Sequence, residues 1–590
     1  MSEEPAAMEF SPDAAALPPG ASASCGGARQ VRRRSPVERA EQLGAAEARL
    51  ATGEPLRQVA AALGVPRSTL RSWRKALPLA GEALPTEVAS ALATPAGLRW
   101  LCRLVVALHL IITLRAAGGI RMVCECLELS GLAGVLGTSY GSQRAVNVAV
   151  QEALAEAAQA QHNALAAGMA PCEVALCADE TFDPDVCLVA IEPVSNYIVA
   201  EAYAPDRTAA TWWQCLKQAL AGLPVTVIQG ISDEAGALRH LIEKDFKAAH
   251  GSDLMHGQHE VAKGTGLHLA RQSKQAAAAV ASAQAHLDAQ QAAQRAYEAQ
   301  PRHPRGRPPA FAARIAAAWS NLVAAEAEQT QAQARQAEAR ELIRELATLY
   351  HPYAVETGQV QSVARVGARF EQVWERLSRL VAAADLPTRA REHIAKAQRL
   401  TVHWLAYLTF FFTTLQARVE ALDLPAELEQ AFLTQLVPAL YLERVAARST
   451  QAASRHRLAA LSAQLLEPLR QPTHPLQALP LATRQHLEAV ARGCADLFQR
   501  SSSCVEGRNG QLSLYHHGCH RLRGRKLPAL TAIHNYHIRR PDGTTAAERL
   551  FGRGHPPLFE LVLARISRLP PPRRRRPRAP KLAALALVAA

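Results

Sequence analysis

Apolar positions along most of the chain recur at the three- and four-residue spacing of amphipathic helices, and one stretch departs from this pattern. In that stretch, short apolar runs bounded by turn residues predict five strands. The strands are expected at 173–182, 186–191, 197–203, 225–234 and 253–256. Helical patterns at 209–221 and 235–246 separate the later strands. The order β-β-β-α-β-α-β predicts a mixed five-stranded sheet flanked by helices.

The same patterning divides the chain into seven segments. They are a disordered basic arm at 1–35, a helix-turn-helix at 36–78, a helical linker at 79–165, the first part of the sheet domain at 166–268, an all-α insertion at 269–495, the last part of the sheet domain at 496–565, and a basic disordered tail at 566–590. Ala- and Gln-rich patterns around the basic turn at 301–309 predict a long helical hairpin over 269–350. We therefore expect a mostly helical protein with an α/β core.

Residues 55–75 have the pattern of a helix-turn-helix. Gly64 stands at the turn, where the backbone needs a positive φ, and the apolar residues before and after it fit the inner face of two short helices. The second helix presents polar side chains that can enter a major groove. These are Arg67, Ser68, Thr69, Arg71, Arg74 and Lys75. The alternative is a plain helical hairpin with a solvated arginine face.

The charge balance points in the same direction. Lys and Arg number 66 against 52 acidic residues, which gives a net charge of +14, and nine of the 66 are Lys. Because the arginine guanidinium binds phosphate in a bidentate way, this bias favours nucleic acid over a membrane surface as the partner. A GC-rich genome also enriches Ala and Arg, so charge alone does not decide the function.

The cysteines and the most apolar segments concern the location of the protein. None of the 11 cysteines forms a C-x-x-C pair, and no secretory signal is recognisable, so we expect a protein of the reducing cytoplasm. The apolar stretches at 105–114 and 400–415 are too short or too interrupted to span a bilayer, and we expect them to form buried helices. Trp212 and Trp213 are expected in the core rather than stacked on bases.

Two acidic residues stand where strands end, and they suggest metal chemistry. Asp179 closes the first strand and Asp233 closes the fourth, where a buried carboxylate is costly without a cation. Asp179 is preferred to Glu180 because strand periodicity places it on the same face as Cys177. Two strand carboxylates and one helix carboxylate would leave positions open for water and phosphate oxygens, which suits Mg²⁺.

Four segments together resemble a known group of enzymes. They are Ala178-Asp179-Glu180-Thr181-Phe182, Ile231-Ser232-Asp233-Glu234-Ala235, the run from Cys504 to Gly510, and the run from Pro541 to Phe551. In this order they resemble bacterial insertion-sequence transposases of the DDE type, whose catalytic domain has an RNase H-like fold. The resemblance covers roughly 170–265 and 496–565, and the 273 residues from Asp233 to Glu506 depart from a minimal member of the family.

The resemblance implies a site, cofactors and partners. Asp179, Asp233 and Glu506 would be the catalytic metal ligands, holding two Mg²⁺ ions for which Mn²⁺ can substitute. The substrates would be the terminal repeats of a transposon and its target DNA, without any membrane. Synapsis of two DNA ends would require a homo-oligomer, at least a dimer.

Other residues compete for roles in this site. Glu260 and Glu548 are alternative third acids, and His256 is a candidate contact to DNA or phosphate beside Asp253. A zinc site built from the histidines and cysteines after 500 lacks a matching ligand spacing. Basic and polar residues near Glu506 are expected to bind DNA phosphates, or else to form a solvated face. These are Arg508, Asn509, Arg521, Arg523, Arg525 and Lys526.

Two further functions stay open on sequence grounds. A transposase-derived DNA-binding protein would keep the helix-turn-helix and the fold without needing the acids. An RNase H-type nuclease or a Holliday-junction enzyme would use the same acids without specificity for terminal repeats. Inverted repeats flanking the coding region would favour transposition over both.

Overall fold

The computed structural model of the protein describes residues 36–75, 84–182, 185–303, 306–519, 522, 524–566 and 568–572. The predicted arm at 1–35 and nearly all of the predicted basic tail lie outside these residues. The chain divides into two compact units, Met1–Glu82 and Ala83–Ala590. The structure is mostly helical with a small mixed sheet of five strands, which confirms the predicted balance of elements.

The first unit contains three helices around a small apolar core. They are α1 (Pro36–Ala51), α2 (Leu56–Ala62) and α3 (Arg67–Lys75). The core residues are Ala46, Val59, Ala60, Val65 and Leu70. Gly64 has a φ of 58°, which is the left-handed conformation predicted for the turn between α2 and α3.

The second unit begins with four helices. They are α4 (Thr86–Ala93), α5 (Pro95–Leu108), α6 (Ile120–Leu129) and α7 (Tyr140–Ala166). Helix α5 continues directly as a π-helix over His109–Arg115. The combined helix Pro95–Arg115 has 21 residues, and an 18-residue window of it has a mean hydropathy of 1.7, so it is by length and composition apolar enough to cross a membrane, contrary to the sequence expectation.

A helix in a protein core passes the same length and composition test, and here 44% of the apolar window is buried inside the protein. Val105, Val106 and Leu114 are fully buried in the main core of the second unit. His109 is buried too, and its ring nitrogens contact the side-chain oxygens of Gln143 and Asn147 on α7. A buried polar contact of this kind ties one face of the helix to α7.

The sheet forms from the predicted apolar runs. Its strands are β1 (Cys172–Phe182), β2 (Val186–Glu192), β3 (Tyr197–Ala204), β4 (Val225–Ser232) and β5 (Ala249–Ser252). They lie in the order β3-β2-β1-β4-β5; the pairs β3–β2 and β2–β1 are antiparallel, and the pairs β1–β4 and β4–β5 are parallel. Two helices follow the predicted order. They are α8 (Ala209–Ala219) and α9 (Gly236–His240), and α9 continues as a π-helix over Leu241–Asp245.

The predicted position of the fifth strand is wrong. The strand lies at Ala249–Ser252, and 254–256 instead opens helix α10 (Leu254–Glu298). The reason is local: the Asp253 carboxylate accepts a hydrogen bond from the backbone N–H of Met255 at 2.7 Å and so caps the helix. A three-residue apolar pattern cannot distinguish such a helix start from a short strand.

Both faces of the sheet are covered. On one face, alternate residues of β1, β2 and β4, including Leu176, Leu188 and Val227, pack against α8 and α9 around the fully buried Trp212. This confirms the core assignment of Trp212. On the other face, Cys177, Val189 and other residues of the opposite parity join the large helical core. Because alternate side chains are buried on opposite faces of the sheet, the strands are continuous apolar runs in the sequence.

Long helices dominate the rest of the chain. Helix α10 packs along α11 (Phe311–Leu349) on the far side of the basic turn, with Leu287, Ala318 and Leu322 buried between them. The helices that follow are α12 (Val363–Ala383), α13 (Thr388–Glu420), α14 (Ala426–Ala431), α15 (Val437–Arg448), α16 (Ala452–Arg470), α17 (Pro475–Ala478), α18 (Leu481–Leu497), α19 (Ser503–Cys519), α20 (Lys526–Tyr536), α21 (Ala546–Phe551) and α22 (Leu558–Arg565). Helices α19 and α20 return to the sheet and contact its strands.

Candidate metal centre

The three predicted acids come from three separate elements. Asp179 lies near the end of β1, Asp233 follows the last residue of β4, and Glu506 is the fourth residue of α19. Strands β1 and β4 are parallel neighbours, with Cys177 opposite Ile231. Extending this register by two residues brings Asp179 level with Asp233 at one edge of the sheet. We refer to Asp179, Asp233 and Glu506 as the carboxylate cluster.

Helix α19 is held against β1 beside these acids. The side-chain amide of Asn509 donates a hydrogen bond to Asp179 Oδ2 at 3.0 Å. Two residues earlier on β1, Cys177 Sγ lies 3.8 Å from the carbonyl oxygen of Ser501. Since Glu506 and Asn509 are three residues apart on one helix, they share a side of it. The contact between Asn509 and Asp179 therefore holds the part of α19 that carries Glu506 against β1, although Glu506 is grouped as a candidate metal ligand with Asp253 and His256 rather than with the strand acids.

The acids influence one another electrostatically. Burial raises the pKa of Asp179 to about 6; Asp233 and Glu180 add to the rise, while the Glu180 backbone N–H and His256 oppose it. Burial also raises the pKa of Glu506, with Asp253 adding to the rise and His256 opposing it. Burial is the main cause of both rises in pKa, and the neighbouring carboxylates add to it.

Two residues at the start of α10 complete the site. Asp253, His256 and Glu506 each offer one ligand atom, and these atoms lie within 4.8 Å of one another. The contact with Asp253 raises the pKa of His256; burial opposes this, while the charges of Asp233 and Asp179 add to it. The imidazole is therefore near both strand carboxylates as well as Glu506, in agreement with the expectation that His256 lies beside the acids.

Asp253 acts first as an anchor between two helices. Its Oδ1 caps α10, and its Oδ2 accepts hydrogen bonds from the backbone N–H and the hydroxyl of Ser502, just before α19. Burial raises the pKa of Asp253, but the contact with His256 and the Ser502 donors outweigh it and leave the pKa lowered. The carboxylate is thus ionised, buried and largely occupied by hydrogen bonds within the chain.

The segment that leads into α19 is held from several sides. The carbonyl oxygen of Leu497 accepts a hydrogen bond from the side chain of Gln229 on β4, at 2.7 Å. The carbonyl oxygen of Arg500 accepts one from the backbone N–H of Leu254, at 3.0 Å. These bonds fix the start of α19 relative to β4 and α10, and so fix the position of Glu506.

The residues present fit a divalent cation. The carboxylates supply hard oxygen ligands, and the carboxylate of Glu506 forms no hydrogen bond or ion pair with any described residue. Asn509 Oδ1 is buried and has no hydrogen-bond partner among the described residues. Buried polar atoms without partners are costly, and a cation with its water ligands would satisfy them.

The competing acids have other partners. Glu260, on α10, is surrounded by Lys263, Lys396 and His393, whose Nδ1 lies 2.6 Å from its Oε2. Glu548 forms a capping box with Thr545 at the start of α21. Glu180 pairs with Arg207 at 3.0 Å. Each of these carboxylates therefore already has a structural role.

The zinc alternative gains no support from the described residues. His516 lies against Tyr203, with 3.1 Å between Nε2 and the hydroxyl oxygen. The only group of candidate metal ligands found among the described residues is Asp253, His256 and Glu506. His520 lies outside the described residues, as does the side chain of Cys519.

The predicted DNA-binding residues of the first unit lie on α3. Arg67, Ser68 and Arg71 are exposed, and Thr69 is half-buried. Arg74 pairs with Glu47 of α1 at 2.7 Å. The side chain of Lys75 lies outside the described residues. The structure therefore leaves the beginning of α3 as the free polar face.

The predicted basic residues near Glu506 are divided by the structure. Arg508 is 4% exposed and forms a two-pronged ion pair with the buried Glu201 of β3, at 2.6 and 2.7 Å, so it faces the sheet rather than a phosphate. Arg525 pairs with Glu152, and Lys526 lies over the ring of Tyr515 at 5.3 Å. Arg521 and Arg523 lie outside the described residues.

Residues 432–578 match DUF6399, a family of unknown function. The matched region contains Glu506 and Asn509 but neither Asp179 nor Asp233. No curated protein matches the chain. The region that matches this family therefore holds the helical side of the carboxylate cluster.

Proposed function

We propose that the protein is a metal-dependent enzyme that cleaves and joins DNA strands, a transposase of the DDE type. The observation that carries the proposal is the position of His256 between acids that are far apart in sequence: it feels the charges of Asp179 and Asp233 and forms a group of candidate metal ligands with Glu506 and Asp253. Two metal ions held by such carboxylates can clamp the attacking and leaving oxygens of a phosphoryl transfer.

The sheet and the first unit support the same proposal. The strand order β3-β2-β1-β4-β5, with β1 in the centre, agrees with the mixed sheet expected of an RNase H-like core. Helices α2 and α3, with Gly64 in the turn, agree with a helix-turn-helix whose exposed Arg67, Ser68 and Arg71 would contact DNA. We propose both assignments as parts of the transposase.

The residues of the chain have distinct parts in the proposed reaction. Asp179, Asp233 and Glu506 would hold divalent cations, with Asn509 keeping Asp179 in place through its amide. Bound cations would neutralise charge on the scissile phosphate and lower the pKa of the attacking water or 3′-hydroxyl. Asp253 would position the start of α19, and His256 would face the same phosphate from α10.

The test is strand cleavage of a labelled DNA that carries the inverted repeats flanking the gene, with Mg²⁺ or Mn²⁺. Asp179→Asn, Asp233→Asn and Glu506→Gln should each lower cleavage at least 100-fold while binding of the same DNA is kept. Glu173→Gln is the matched control, because Glu173 is an exposed carboxylate of β1 that pairs with Arg418 away from the site.

Each result has a definite meaning. Cleavage by the wild type and by Glu173→Gln, together with loss in the three variants, would support the proposal. Wild-type protein that binds the DNA but leaves it intact with either metal would overturn catalysis and favour a DNA-binding protein. Equal cleavage of DNA with and without the repeats would favour a nuclease instead.

A further inference from the structure

A cavity of about 610 Å³ lies beside the candidate metal centre, on the other side of the segment that leads into α19. Four arginines line it, and its wall also includes Ser501, Ser503 and Cys504, where α19 begins. The arginines are Arg444 and Arg448 of α15, Arg500, and Arg540 after α20. We refer to this space as the arginine cavity; no acidic residue is among the residues that line it.

The positive charge in the arginine cavity is poorly compensated. In the described part of the chain, Arg444 is the one member of the four that forms an ion pair, with Asp496. Arg448 donates to the side chain of Gln499 and to the carbonyl oxygen of Pro193, and Arg500 donates to the carbonyl oxygen of Ala347. These neutral acceptors hold the guanidinium groups in place without cancelling their charge.

The arginines also repel one another. Burial lowers the pKa of Arg444 to about 10, and the charge of Arg448 lowers it further while Asp496 opposes. Burial and Arg448 likewise lower the pKa values of Arg500 and Arg540. A pKa of about 10 leaves Arg444 charged near neutral pH. Arg444 Nη2 is in addition buried and has no hydrogen-bond partner among the described residues.

The position of the cavity relates it to the carboxylate cluster. Leu254 and Met255, in the first turn of α10, line the cavity, and His256 follows them in the metal-binding group. On α19, Ser503 and Cys504 line the cavity and Glu506 belongs to the cluster. Less than one turn of each helix therefore separates the two sets of residues, a distance that neighbouring phosphates of one nucleic-acid strand can span.

We propose that the arginine cavity binds phosphate groups, and that these belong to the DNA strand whose neighbouring phosphate lies at the carboxylate cluster. The inference that these phosphate groups belong to DNA rests on the proposed function. The inference that the cavity recognises phosphate does not. Guanidinium groups from three separate chain segments, a serine hydroxyl and the N-terminal end of the 17-residue helix α19 all favour a ligand with several anionic oxygens. None of the four arginines belongs to the set that the sequence predicted.

The test compares two double variants of the full chain that lose the same charge. Arg448→Gln/Arg540→Gln removes the two exposed arginines of the cavity. Arg457→Gln/Arg470→Gln removes two exposed arginines of α16 that do not line it. Binding of a labelled duplex is measured by fluorescence anisotropy at several salt concentrations, and melting temperature is measured with and without inorganic phosphate.

The cavity variant should bind duplex DNA at least 10-fold more weakly than the wild type. Its slope of log K against log salt should be shallower by about 1.8, since each phosphate contact contributes about 0.9. The α16 variant should match the wild type. A further variant, Arg448→Lys/Arg540→Lys, keeps the charges and should keep the slope while losing part of the affinity, which separates ligand binding from misfolding.

The outcomes distinguish the two sources of phosphate. If the cavity variant binds DNA with wild-type affinity and slope, DNA as the source is overturned. If the wild type binds no DNA at all, the proposed function fails. The melting temperature with and without inorganic phosphate then tests by itself whether the cavity binds phosphate. A phosphate-induced rise in melting temperature that the cavity variant lacks would support a site for a free phosphate compound. The cavity would be overturned as a phosphate site if phosphate does not raise the melting temperature of the wild type and the cavity variant binds DNA as the wild type does.

Discussion

The carboxylate cluster and the arginine cavity are built alike and carry opposite charge. Both gather like charges from several chain segments, and in both the charged groups shift one another's pKa values away from their usual range. The ion pair between Arg508 and Glu201 lies nearby and is different: it is buried and fully matched. Like charges that are held together without matching partners indicate a ligand of opposite sign, whereas matched charges indicate a structural role.

The largest expected effect tests the matched pair. Arg508→Leu should destabilise the fold by about 3–5 kcal/mol, because it leaves the Glu201 carboxylate buried without its partner. Urea denaturation measures the change. Arg508→Leu/Glu201→Leu should recover most of the loss, and Arg540→Gln, at an unmatched position, should stay within about 0.5 kcal/mol of the wild type. A mild effect of Arg508→Leu would remove the contrast between matched and unmatched charges.

The next largest effect concerns Asp253, between the two sites. Asp253→Ala removes the cap of α10 and the acceptor for Ser502, and should cost about 2–3 kcal/mol in the free energy of unfolding. Asp253→Asn keeps an oxygen for the cap and should cost less. Added Mg²⁺ should not recover the loss in Asp253→Ala if the residue is an anchor. Full recovery by Mg²⁺ would instead assign it to the metal ligands.

A smaller effect of opposite sign is expected at Asp179. Without divalent cations at pH 7, Asp179→Asn should stabilise the fold by about 1 kcal/mol, because it removes one charge from the crowded cluster. The wild-type carboxyl has a raised pKa of about 6, so its destabilising effect is present above that pH. The gain should therefore shrink as the pH falls toward 4. A gain that is independent of pH would contradict the proposed crowding.

Mg²⁺ gives a second measurement on the same variant. A ligand that binds the native state raises its stability, so Mg²⁺ should raise the melting temperature of the wild type. Asp179→Asn should lose most of that rise, and Glu173→Gln should keep it. An equal rise in all three proteins would place the metal elsewhere.

The smallest effect is expected at a matched carboxylate away from both sites. Burial raises the pKa of Glu260, but His393, Lys263 and Lys396 outweigh it and hold the pKa at about 2. Such a group stabilises the fold above its unfolded pKa and loses this effect as the pH falls from about 4.5 to about 2. Glu260→Gln should cost about 1 kcal/mol at pH 7 and almost nothing near pH 2. Urea denaturation at both pH values provides the comparison.

The sequence predicted the sheet better than the site. Continuous apolar runs identified β1 to β4 because both faces of the sheet are buried, and this pattern is local. The fifth strand was misplaced because a single side chain, Asp253, caps a helix at that point. The acids at the strand ends could also be recognised, because their position follows from the local strand pattern. Parallel neighbouring strands end at the same edge of a sheet.

The arginine cavity and the role of Arg508 could not be read from the sequence. The residues that line the cavity on its cationic side are spread from 444 to 540, and their proximity arises from the packing of α15 and of the segments around α19 and α20. From the sequence alone, Arg508 is expected to be a solvent-exposed neighbour of Glu506. Its burial depends on Glu201, which lies 307 residues earlier.

Helix α10 connects the site mechanically to a distant part of the protein. It runs unbroken from Leu254 to Glu298, 45 residues that extend over about 67 Å at the usual rise per residue. Its first turn carries His256, and its other end reaches the basic turn of the hairpin. Such a rod acts as a lever: a tilt of about 5° at the first turn moves the far end by about 6 Å. A displacement of the hairpin end is therefore linked geometrically to the first turn, which carries His256.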